Sequence, residues 1–116
     1  VTTAVQLTLP EGSPWRAQEP TTASEQLVLR AFQNRPGVLM RADLCDCTGL
    51  TDRDVREAID GLRGLGWGII PAKPRGYRLA ENPEDVRAFA QQQRRRAITI
   101  MVGARRMLVA IQRVAA

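Results

Sequence analysis

The chain has no histidine, only two cysteines and five aromatic residues among its 116 positions, and these gaps narrow its chemistry first. Without a histidine or a third cysteine, the Cys45-Asp46-Cys47 pair lacks the partners a tetrahedral metal site needs. On a helix the two thiols diverge by about 200°, so no disulfide joins them and one is expected to pack as a small apolar group. No nucleophile stands beside a base and no glycine-rich phosphate loop occurs, so neither an enzyme nor a cofactor is expected. A run of 18 apolar residues is also missing, and the N-terminus shows no basic region followed by an apolar core. The expectation is a cytoplasmic protein with no membrane partner.

Lysine is nearly absent as well, since sixteen of the seventeen cations are arginine. Arginine forks onto phosphates and guanine edges, although a GC-rich coding sequence gives the same bias. The net charge of +5 is unevenly spread. Residues 1–60 carry six basic and nine acidic side chains (−3), and residues 61–116 carry eleven and three (+8). A basic second half points to an anionic partner.

What is present reads as one globular unit with extensions. Residues 1–22 form an arm with a brief alternation at Val5, Leu7 and Leu9, docking through Trp15. Thr22 followed by Glu25 has the capping-box spacing, which starts a helix near Thr22 or Ser24 that runs to about Asn34. Leu27, Val28, Ala31 and Phe32 make its apolar stripe, and Arg35-Pro36-Gly37 ends it. A two-turn helix over Arg41–Thr48 buries Leu44 and one cysteine.

Gly49 then turns the chain at positive φ and Thr51 caps a third helix, the construction of a helix-turn-helix corner. Val55, Ala58, Ile59, Leu62 and Leu65 face inward. Arg53, Arg56, Glu57, Asp60 and Arg63 face out, and the spacing allows Arg53–Glu57 and Arg56–Asp60 ion pairs. Residues Trp67–Pro71 and Tyr77–Leu79 form a hairpin whose tip holds Lys73 and Arg75, with Arg78 beside it. Asn82 before Pro83, Glu84 and Asp85 starts a fourth helix, which runs toward Ala115 or breaks near Gly103. In its second half Ala97, Met101, Ala104, Leu108, Ile111 and Ala115 alternate spacings of four and three, the pattern of a helix-pairing seam.

From Leu27 to Ala80 the sequence resembles the winged helix-turn-helix domain of the biotin-repressor type, as in small bacterial and phage regulators. The likeness rests on Thr48-Gly49-Leu50-Thr51, on Val55 with Ile59, on the run Leu62–Trp67, and on Gly76-Tyr77-Arg78-Leu79. It implies a mainly α fold with a small β-hairpin wing (α+β): an arm at 1–22, a winged helix-turn-helix domain at 23–81 and a long C-terminal helix at 82–116. It also implies double-stranded DNA as partner, with the third helix in the major groove and the hairpin on the backbone. The DNA-contact candidates are Thr51, Arg53, Arg56, Glu57, Asp60 and Arg63 on that helix, and Lys73, Arg75 and Arg78 on the wing. Arg41, Arg94, Arg95 and Arg96 are candidate phosphate contacts.

Two departures bear on the likeness: Asp52 follows the capping threonine, and the third helix carries four acids in its first ten residues. The ligase domain of that family has no counterpart here, and the long helix stands in its place. The resulting expectation is a bacterial or phage transcriptional regulator binding as a homodimer. The alternatives are a winged-helix module that binds a protein partner, and an architectural or replication accessory protein that binds DNA without sequence choice.

Overall fold

The computed structural model describes residues 4–6 and 16–115. The chain divides into two compact units, Val1–Val86 and Arg87–Ala116. The first contains β1 (Ala4–Gln6), β2 (Arg16–Gln18), α1 (Ala23–Asn34), α2 (Arg41–Thr48), α3 (Asp52–Gly64), β3 (Ile69–Pro71) and β4 (Tyr77–Leu79). The last helix, α4 (Pro83–Ala115), begins in the first unit and makes up the described part of the second, unbroken at Gly103. The architecture is mainly helical, with two antiparallel two-stranded sheets, β1–β2 and β3–β4.

The three short helices enclose one apolar core. Val28, Leu44, Val55 and Leu62 are wholly buried, and Phe32, Ile59 and Trp67 complete the interior. The stripe on α1 is turned from its expected position: Leu29 is buried, whereas Leu27 is exposed. At ~100° per residue, Val28, Leu29 and Phe32 share a face with Glu25, and Leu27 falls on the far side. Cys45 packs against the core and Cys47 is exposed.

Glu25 is the one acidic residue buried among the described residues. Its Oε1 accepts from the Thr21 N–H and hydroxyl, both at 2.9 Å, and from the Thr22 N–H at 3.3 Å. The Thr22 hydroxyl in turn accepts from the Glu25 N–H at 3.1 Å, completing the capping box. Gly61 on α3 leaves room for this carboxylate, and a Cβ there would force Glu25 Oε2 to shift. Glu25→Ala is expected to lower stability by about 1–3 kcal/mol, since it removes a charged acceptor shared by three hydrogen bonds and one half of the capping box. A thermal melt checks this, with a Tm drop of roughly 4–8 °C per kcal/mol.

The arm is tied down through its backbone. The Gln18 N–H donates to the Leu65 carbonyl at 2.9 Å, and Trp67 Nε1 donates to the Gln18 carbonyl at 2.8 Å. Ala17 is buried beside them. Trp15, Leu7 and Leu9 lie outside the described residues.

Candidate nucleic-acid interface

The corner between α2 and α3 follows from two residues. Gly49 adopts φ 75° and its N–H donates to the Cys45 carbonyl at 2.8 Å, ending α2 in the left-handed region where glycine is unstrained. Two residues later the Thr51 hydroxyl accepts from the Asp54 N–H at 3.1 Å and starts α3. The turn is therefore fixed at both ends by local chemistry.

The outward face of α3 is neutralised largely by its own acids. Arg53 Nε lies 3.1 Å from Glu57 Oε1, as its spacing implies. Arg56 does not pair with Asp60; its Nε lies 3.2 Å from Asp52 Oδ2. An acid four residues N-terminal to a base is the better helical orientation, and Asp52 also sits in the first turn, where the helix dipole favours negative charge. Asp52 Oδ1 lies 3.5 Å from Arg41 Nε, so one carboxylate joins α2 to α3. Thr51, Arg53, Arg56, Glu57 and Asp60 are all exposed.

Arg63 is not on the open face. Its Nε donates to the Ile69 carbonyl at 2.8 Å, and its guanidinium lies over the Tyr77 ring at 5.9 Å from the centroid. Partial burial lowers its pKa, offset in part by the charge of Asp60, whose Oδ1 is 3.9 Å away. Arg63 therefore joins the end of α3 to the base of the hairpin, a structural role.

The hairpin is held against the segment before α2 as well. Leu39 and Tyr77 exchange both backbone hydrogen bonds at 2.8 Å. Beside them Gly76 sits at φ 96°, and a Cβ there would lie 2.7 Å from Val38 Cγ1. Ala72 donates to the Gly76 carbonyl at 2.9 Å, closing the tip. Lys73, Pro74 and Arg75 are exposed at that tip, and neither cation has an acidic partner among the described residues.

Arg78 differs from its two neighbours. Its Nη2 is paired with Asp85 Oδ2 at 3.1 Å, and both side chains are half-buried. Asp85 also accepts from Asn82 Nδ2 at 3.2 Å, while its N–H donates to Asn82 Oδ1 at 3.0 Å, which caps α4. Arg78 thereby anchors the start of α4 beside β4 and is not free to clamp a phosphate with Lys73 and Arg75. No local spacing signals the Arg78–Asp85 pair, whose members lie on different elements, whereas the i,i+4 spacing of Asp52 and Arg56 does signal theirs.

Near the α1–α2 connection, Arg35 Nη1 donates to Cys47 Sγ at 2.9 Å, and this contact raises the Arg35 pKa. Arg94, Arg95 and Arg96 are exposed in the second unit, as are Ala97, Met101, Ala104, Leu108 and Ile111. The side chain of Ala115 lies outside the described residues. No helix among the described residues is long and apolar enough to cross a membrane.

Comparison with known protein families, curated proteins and solved structures finds no match. The functional reading rests on the residues themselves.

Proposed function

We propose that the chain is a winged-helix DNA-binding protein, a bacterial or phage transcriptional regulator that works as a homodimer joined through residues 97–115. The observation that carries the reading is the hairpin tip, where Lys73 and Arg75 are exposed and without an acidic partner among the described residues. It follows a helix-turn-helix corner whose second helix, α3, has an exposed outer face at Arg53, Arg56, Glu57 and Asp60. In this reading α3 enters the major groove and the tip rests on the phosphate backbone.

The ion pairs on α3 set the order of events. Phosphate contacts from the tip supply the first affinity, because those cations have nothing to give up. Arg53 or Arg56 reads a guanine only by leaving Glu57 or Asp52. Exposed helical pairs of this kind are worth only about 0.3–0.5 kcal/mol, while a bidentate guanine contact discriminates by about 1–3 kcal/mol. The exchange is therefore favourable at the right base and nearly neutral elsewhere.

The same self-pairing favours a second reading, in which α3 docks on a protein and meets no DNA. Selection from a randomised duplex pool at about 150 mM salt separates the two, since phosphate-only binding is already weakened there. Enrichment of a motif, with inverted-repeat symmetry, is the expected result. Recovery without enrichment would mean backbone or shape binding, and no recovery would sink the DNA reading.

A further inference from the structure

The helix in the second unit has an apolar face too broad for one partner helix. At ~100° per residue, every residue of 97–114 that falls on one half of the circumference is apolar, about 180° in all. The pairing seam of Met101, Leu108 and Ile111 occupies one part of that face, and each is at least 63% exposed. Beside it runs a second row, Ile100, Met107 and Val114, spaced by seven and exposed at 62%, 65% and 89%. A two-stranded pair covers a narrow stripe, whereas a bundle helix buries a wider one.

Area points the same way. A large apolar side chain removes about 100 Å² from water when buried, so three seam residues contribute roughly 300 Å² per chain. The second row gives its own contact roughly the same 300 Å², so a chain engaged on both sides removes about twice the apolar area that the seam alone removes, before the small residues are counted. Ala97, Gly103, Ala104 and Ala110 are interleaved with the large side chains on this face, giving holes for knobs.

Charge and composition identify the occupant as more of the same chain. Arg105, Arg106 and Arg113 all fall on the opposite half, so copies meeting face to face keep their cations in water. An acidic partner helix has little to select, because the positions flanking the seam are Ile98, Arg105 and Gln112 on one side and the second apolar row on the other. A lipid surface is disfavoured, since residues 90–116 have no aromatic residue and small residues add little to membrane burial.

We infer that four copies of the chain assemble through this helix as a pair of pairs, one contact made by the seam and the second by Ile100, Met107 and Val114. The inference rests on the proposed pairing of copies and is independent of DNA recognition. Light scattering with size exclusion on the full chain, without DNA, is expected to give four times the 12.9 kDa chain mass. Met107→Glu is expected to halve that mass, as is Leu108→Glu, and the double variant to reduce it to a single chain, with circular dichroism showing unit 1 still folded. A wild-type dimer or monomer, or a Met107→Glu protein that stays tetrameric, would overturn the inference. A tetramer that binds no duplex would leave it standing and defeat the DNA reading, while a monomer that binds duplex would do the reverse.

Discussion

Reversing both tip charges, Lys73→Glu with Arg75→Glu, is expected to lower duplex affinity on the order of 100-fold or more while leaving the melting temperature nearly unchanged. Hydrogen bonds to charged groups contribute about 1.5–3 kcal/mol each, roughly ten- to 150-fold in affinity per contact. Neither side chain packs against the core and neither has an acidic partner among the described residues, so folding should shift by less than about 0.5 kcal/mol. The milder Lys73→Ala with Arg75→Ala variant adds a quantitative check. Two lost phosphate contacts should flatten the slope of log affinity against log salt by about 1.8. Fluorescence anisotropy across a salt series measures both effects. Wild-type affinity in the reversed-charge protein would show that the tip does not meet DNA.

The specificity of that result depends on how the tip is held. Gly76 at φ 96°, the paired hydrogen bonds between Leu39 and Tyr77, and Arg63 beneath the Tyr77 ring fix the hairpin base on three sides. The two cations are thus presented from a braced loop, which limits the ordering cost that flexible arginines would otherwise carry on binding.

Local signals of fixed spacing were legible in the sequence. Thr22 with Glu25, Gly49, Thr51 and Asn82 each act within four residues of themselves, and each forms the cap or turn its chemistry implies. The limits Arg41–Thr48 for α2 follow from the same kind of evidence. Choices made between elements were less legible. Leu27 and Leu29 are equal in hydrophobicity, and which one is buried depends on where Glu25 docks against Gly61 on α3. The attachment of the arm uses the backbone N–H and carbonyl of Gln18, which almost any residue there would offer, so no side-chain pattern within the arm announces it.

The candidate site divides along the same line. Exposure of Lys73 and Arg75 follows from their place in a turn. The engagement of Arg63 and Arg78 does not, because their partners Ile69 and Asp85 belong to other elements, brought close only by folding. A count of arginines overstated the free positive charge of this domain, since those in and beside α3 and β4 are mostly committed to carboxylates.

That commitment makes a second large effect testable. Asp52→Lys with Glu57→Lys removes the partners of Arg41, Arg56 and Arg53 and shifts the charge on the face of α3 by four. If α3 lies on DNA, nonspecific duplex binding should tighten at least tenfold and become steeper in salt, because several cations gain access to phosphates. The helix loses a favourable acid in its first turn, worth about 0.3–1 kcal/mol, so the protein should remain folded. The neutral pair Asp52→Asn with Glu57→Gln frees the same arginines without adding lysines and should give a smaller gain of the same sign. A surface that docks on protein behaves oppositely, since its acids would be contacts: both variants would lose the partner, and nonspecific DNA binding would change no more than the net charge requires. Unchanged DNA affinity in the lysine variant would therefore remove α3 from the DNA interface, even if the tip mutants had already placed the hairpin there.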